Sequence, residues 1–263
     1  MRPARNLSVK VLEPELVSGK KKKTRDLASA SLLRFGGFPE PFLAQSEKIH
    51  RIWSKNRVEL LVRQDLRETS HLLNIGQVEI LASFLPERVA SPLSIQSIAE
   101  DLDVAHTTVS RWLASLADVY FHFNVKPYAT SIPRSLKKDG KIYLYDWSAI
   151  DAEGPRFENM IAVHLAKLVA FYNDTGQADL ALHYLRNKEK REVDFLVTNR
   201  KKPLFTVEAK LHDLHLARDY ETFQRILKVP HFQIVEGHGI LRAFKGAAPA
   251  YVISFDDFFR RLP

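Results

Sequence analysis

The sequence predicts an α/β protein, in which a helical adaptor and a winged-helix-like module precede a mixed sheet with flanking helices. Three observations predict it. From about residue 141 short apolar runs alternate with amphipathic helical stretches, the order expected of a sheet covered by helices. Residues 71 to 123 form a tight helical series with little loop. The segment EVDFLVTNRKKPLFTVEAK, residues 192 to 210, reads as a hairpin with two strongly apolar arms turning at Asn199 to Lys202.

Four segments follow along the chain. Residues 1–26 are a basic tail, with eight Lys or Arg up to Arg25 against Glu13 and Glu15, so most of the net charge of +8 lies there. Such a tail suits a solvated arm or one that tracks phosphates. Residues 27–70 read as a lid-like helical adaptor, interrupted at FGGFPEPF, where Gly36, Gly37, Pro39 and Pro41 forbid continuous helix. Residues 71–140 read as the winged-helix-like module, with a break at Pro86 and at Ser91-Pro92. Residues 141–263 supply the sheet: KIYLYD, the helix FENMIAVHLAKLVAFY, ALHYLR, EVDFLV, PLFTVEAK, the helix HLARDYETFQRIL, HFQIVE and a short closing helix DDFFRRL.

Composition narrows the class. The chain has 263 residues, 45% of them hydrophobic, enough to bury a core in one large or two small domains. It has no cysteine, so disulfides and thiolate metal sites are excluded and a reducing, cytoplasmic setting is expected. The longest apolar run, IAVHLAKLVAFY, is broken by His164 and Lys167 and is too short to span a bilayer, so no membrane partner is expected.

In the middle segment Ile95, Ile98, Ala99 and Leu102 stripe one helix, Val104 plugs a turn, and Val109, Trp112, Leu113 and Leu116 stripe the next. His106, Thr107, Thr108, Ser110 and Arg111 are then left near the start of the second helix, the end that faces base edges in a major groove. FHFNVKPY and KIYLYD supply the strands of a wing, linked by the basic Arg134, Lys137, Lys138 and Lys141, which suit a phosphate backbone. The same three-helix pattern also serves as a protein–protein connector.

The hairpin carries the sharper chemistry. Alternation puts Val193, Phe195 and Val197 on one face, with Phe205, Val207 and Ala209 likewise, and leaves Asp194, Glu208 and Lys210 on the other. Antiparallel pairing then sets Asp194 roughly opposite Glu208. On the helix FENMIAVHL, Glu158 shares the inward stripe of Ile161, Ala162, Leu165 and Val169. Singly, Glu158 suits the positive end of a helix dipole, and either strand acid suits an ion pair with Lys210. The four together suit a hard divalent cation, which takes one or two carboxylates plus water and substrate phosphate. Asp194 and Glu208 would bind Mg²⁺ or Mn²⁺ with Glu158 as a third, water-mediated contact, and Lys210 would stabilise charge on a scissile phosphodiester.

The series Glu158, Asp194, thirteen intervening residues, Glu208, Ala209, Lys210 resembles the PD-(D/E)xK nuclease superfamily, with Val193 in place of its frequent proline. The resemblance implies a restriction-endonuclease-like sheet, a leading-helix glutamate and metal-dependent cleavage of DNA. More broadly, GGFPEPF, SIQSIAEDLDVAHTTVSRWL, KIYLYD, GPRFEN, EVDF and VEAK, in that order, look like the C-terminal half of prokaryotic AAA-type ATPases, from about residue 32 onward. That implies an ATPase or other protein subunit as a further partner beside DNA. No Walker A motif occurs, since Ser18-Gly19-Lys20 is preceded by Pro14 where the motif needs glycine, so ATP hydrolysis is not expected. The alternative to a nuclease is a non-catalytic DNA-binding or protein-interaction module derived from such an ATPase.

Two weaker constellations remain. His212 and His215 could share a helix face around a transition metal but lack a third ligand, so they are expected at the surface. Tyr220 and Gln224 follow the lysine strand on a helix, facing either substrate or solvent.

Overall fold

The computed structural model describes residues 22–66, 75–128, 140–260 and 262. The tail up to residue 21 and the link holding Arg134, Lys137 and Lys138 therefore lie outside the described residues. The described residues form two compact units: a helical unit, from those within 31–124 and 140–159, and a sheet unit, from those within 22–30, 125–128 and 160–262. The protein is mixed α/β, as the sequence predicts.

Helix α1 (Lys22–Phe35), whose last residues enter the helical unit, stops where Gly36 takes φ +81°, a conformation costly for any residue with a Cβ. Helices α2 (Pro39–Ala44) and α3 (Glu47–Leu60) follow, with Pro39 in the first turn of α2, where its missing N–H costs nothing. Helix α4 (Ile75–Arg88) continues two residues past Pro86, because a proline in the last turn leaves the remaining hydrogen bonds of the helix intact. Helices α5 (Ile95–Asp101) and α6 (His106–Asp118) pack through Ile98, Ala99, Val109, Trp112, Leu113 and Leu116, the stripe residues expected. Ser94 caps α5 by accepting from the Ser97 N–H, and Asp103 in left-handed geometry turns the chain, with the Val104 N–H bonded to the Ala99 carbonyl.

Strand β1 (His122–Pro127) lies beside β2 (Lys141–Leu144), whose other side carries a bridge from Pro92 to Lys141. Helix α7 (Glu153–Asp174) begins five residues before Glu158, since Gly154 and Pro155 fit its first turn. Glu153, not Glu158, is therefore the acid at the positive end of that helix.

The sheet unit orders its strands β3 (Leu180–Arg186), β4 (Glu192–Asn199), β5 (Lys202–Lys210), β6 (His231–Val235), β8 (Ala250–Ser254) and β7 (Leu241–Phe244), with Lys126 and Pro127 of β1 parallel to β3. The pairs β3–β4, β4–β5 and β7–β8 are antiparallel, and β5, β6 and β8 run parallel. Helix α8 (Asp219–Leu227) is the crossover from β5 to β6, and α9 (Phe255–Phe259) follows β8 directly. One apolar cluster joins Leu185, Val193, Leu196 and Ala250 to Tyr220 and Phe223 of α8. Another stacks Phe205 and Phe232 against Phe258 of α9. No helix among the described residues is long and apolar enough to cross a membrane.

Candidate functional site

The β4–β5 hairpin turns at Arg200 and Lys201, both at positive φ, beyond the pair Asn199↔Lys202. Two residues of this backbone match the right-handed twist of the arms. Asn199 anchors the turn, its side chain accepting from the Asp179 N–H while the Arg200 N–H donates to the Asp179 carbonyl.

At the other end of β4 the ladder is irregular. His183 pairs with Leu196 but Leu185 with Val193, so Tyr184 alone opposes Asp194 and Phe195. This β-bulge breaks the alternation expected from the sequence: Val193 joins Leu196 and the α8 side chains in one cluster, instead of sharing a face with Phe195 and Val197. Both faces of the arms are buried, as expected for central strands.

The bulge leaves Asp194 against β5. Its carboxylate accepts from the Ala209 N–H at 2.9 Å, and its own N–H donates to Glu208 Oε2 at 3.4 Å. Lys210 Nζ lies 2.8 Å from Glu208 Oε1. Asp194 and Glu208 are 9% and 7% exposed, while the lysine side chain reaches solvent at 39%. Burial, then the neighbouring Asp194 charge, pushes the Glu208 carboxyl up to about 8, against the opposing pull of Lys210. Burial and Asp194 thus work against charge on Glu208, while Lys210 favours it. A paired-carboxylate site of this kind is chemically suited to a divalent metal, which would offset the repulsion between the two acids.

Glu158 stands in the helical unit with partners of its own. It accepts from Tyr143 OH at 2.7 Å and lies 3.3 Å from Lys141 Nζ. Lys141 is 1% exposed, so it is a buried cation sharing a buried acid and does not belong to the basic link assigned to a phosphate backbone. Among the described residues no group of three or more His, Asp or Glu side chains is arranged to hold a metal ion. The structure brings together Asp194, Glu208 and Lys210.

On α6, His106, Thr107 and Arg111 are exposed and Thr108 and Ser110 half-buried, and the Ser110 hydroxyl donates to the His106 carbonyl. Among the cations near the hairpin, Lys188, Lys190 and Arg191 lie at the Asp194 end of β4 and are exposed. Arg200, Lys201 and Lys202 are at the far end, about 20 Å away for six strand residues. His212 and His215 are exposed, near Glu236 and Asp213 respectively.

Tyr220 and Gln224 are turned inward, so the solvent-facing alternative does not hold. Tyr220 stacks on His231 at 4.5 Å, and Gln224 donates to the Pro249 carbonyl. Gln233 went unassigned by pattern. Fully buried and in register with Glu208, it donates to the Asp213 and His215 carbonyls and accepts from the Ala217 N–H. It straps down the loop 211–217 that leaves directly from Lys210. Its signal was a lone amide between Phe232 and Ile234 in a strand buried on both faces.

Residues 28–152 match the family model described as Domain of unknown function (DUF8612), and residues 153–246 match Domain of unknown function (DUF4143). An uncharacterized protein of Methanocaldococcus jannaschii is 26% identical over 206 residues, covering 74% of this chain and 45% of its own. Uncharacterized proteins of Mycobacterium bovis and Mycobacterium tuberculosis are each 24% identical over 201 residues, covering 70% of this chain and 44% of theirs. The chain thus spans under half the length of these curated relatives. No solved structure matches it.

Proposed function

We propose that the sheet unit is a metal-dependent phosphodiesterase of the PD-(D/E)xK type acting on DNA. One observation carries the reading: Asp194 and Glu208 adjoin on neighbouring strands, with Lys210 Nζ 2.8 Å from the Glu208 carboxylate. An acid-bearing antiparallel hairpin, followed by a crossover helix to a parallel strand, suits the restriction-endonuclease-like sheet implied by the sequence resemblance. Asp194 and Glu208 would hold Mg²⁺ or Mn²⁺, which supplies Lewis acidity at the scissile phosphate. The partly exposed Lys210 ammonium is placed to stabilise the charge that develops on that phosphate. Burial keeps competing water away from the two acids. Lys188, Lys190 and Arg191 would track the adjoining backbone. In this reading α5 and α6 with β1 and β2 act as a winged-helix-like module presenting His106, Thr107, Thr108, Ser110 and Arg111, with Lys137 and Lys138, to DNA.

The Lys210–Glu208 contact also favours a second reading. It is the ion pair expected of a non-catalytic DNA-binding or protein-interaction module derived from the C-terminal half of an AAA-type ATPase. Incubation with single-stranded, duplex and branched DNA in Mg²⁺ or Mn²⁺ separates the two. Cleavage by wild type that is lost in both Asp194→Ala and Lys210→Ala supports the nuclease. Cleavage that persists in both overturns the site, and salt-sensitive binding without cleavage selects the second reading.

A further inference from the structure

Helix α3 leaves a stripe of large apolar side chains in solvent. At 100° per residue, Ile49, Ile52, Trp53, Asn56 and Leu60 fall on one face, and Ile52 and Leu60 are 52% and 49% exposed. With Phe38 and Leu61 they line a groove of about 540 Å³. Leu43 of α2, 76% exposed, is a further apolar side chain of this segment in solvent. A monomeric surface rarely concentrates this much apolar area without a use for it.

The charge beside the stripe is mainly positive. Lys48 and Lys55, both exposed, occupy the adjoining face on one side, and exposed Arg51 lies behind them. On the other side Arg57 lies over the Phe38 ring at 4.4 Å and near Trp53, held between two aromatic faces. Of the acids of α3, Glu47 is paired with Arg34, and Glu59, on the Lys48 flank, shares Arg63 with Glu79, so cations still outnumber acids beside the stripe. Glu40 is the acid of the groove lining.

We propose that this α2–α3 face docks an amphipathic helix of a partner protein, apolar along one stripe and acidic along its flanks. The mode is a helix laid in a groove, where spaced apolar anchors give affinity and flanking charge gives orientation. The 14 residues of α3 extend about 21 Å, so about four turns of a partner helix match it. A second copy of this chain is the poorer occupant, since it would set Lys48, Arg51 and Lys55 against themselves. Duplex DNA would meet the cations but leave the groove unfilled.

Two synthetic helical peptides of about 15 residues test this, with identical leucine stripes and flanks of glutamate in one and lysine in the other. Fluorescence anisotropy should show the glutamate-flanked peptide binding at least about tenfold more tightly than its lysine-flanked counterpart. Ile52→Asp and Leu60→Asp, at exposed positions, should abolish that binding with unchanged urea unfolding. The triple change Lys48→Glu, Arg51→Glu and Lys55→Glu should reverse the preference. Equal binding of both peptides, no binding of either, displacement by a short duplex DNA, or wild-type self-association removed by Ile52→Asp would each overturn the proposal.

Discussion

The Asp194 carboxylate accepts a 2.9 Å hydrogen bond from the N–H of Ala209, the residue that separates Glu208 from Lys210. The side chain read as a metal ligand therefore also fastens the two arms of the hairpin at the point where the chemistry is proposed. Substitutions there divide the two roles. Asp194→Asn keeps an acceptor for the Ala209 N–H but removes the charge, so it should fold with nearly wild-type stability while cleavage falls by about 100-fold or more. Asp194→Ala should in addition lose about 1–3 kcal/mol, the usual cost of leaving a buried N–H unmatched, measured by urea unfolding.

Stability should vary with pH in a definite pattern. Glu208 keeps its proton in the native state up to about 8, far above its ordinary 4.5, so its contribution is full below about 4.5 and is lost as pH rises through about 8. Buried His231 has the opposite sign: burial lowers it from 6.5 to about 3, so its contribution is full above 6.5 and is lost as pH falls toward about 3. Thermal unfolding without divalent ions should thus be near constant between about 4.5 and 6.5 and weaken on both sides. Mg²⁺ should flatten the alkaline limb in wild type, and Glu208→Gln should lack that limb with or without Mg²⁺. A wild-type alkaline limb unmoved by Mg²⁺ would count against the metal site.

Gln233→Leu removes three hydrogen bonds to the loop after Lys210 at nearly constant volume. The expected loss is about 1–3 kcal/mol, with faster amide exchange confined largely to 211–217. Unchanged exchange in that loop would show that the glutamine does not hold it.

Gly37 tests the helical unit alone. A Cβ there would sit 2.5 Å from the Trp147 ring, and the indole N–H already donates to the Leu32 carbonyl, so the ring has little freedom to retreat. Gly37→Ala should cost about 1–3 kcal/mol in urea unfolding.

Much of this arrangement was legible in one sequence because it rests on short-range regularities. A turn at Asn199 to Lys202 brings Asp194 to within one residue of Glu208, a register shift past Thr198 completes the match, and a 3.6-residue stripe suffices for the packing of α5 on α6. What was not legible depends on partners distant in the chain. Nothing near Lys141 announces that its ammonium is buried against Glu158, seventeen residues on, so it reads as a surface cation. Tyr220 and Gln224 look available because helix α8 is short and polar, and only the sheet beneath it shows that both point inward. The extra residue at Asp194 and Phe195 leaves no mark in composition, since both neighbours of the pair are apolar.

Simple odd-and-even counting back along β4 from Leu196 would put Val193 on the wrong side. Shortening β4 by one residue next to Asp194 should leave a strand that still pairs, yet aims its acid away from Glu208, so the proposed metal site would be lost while the architecture persists.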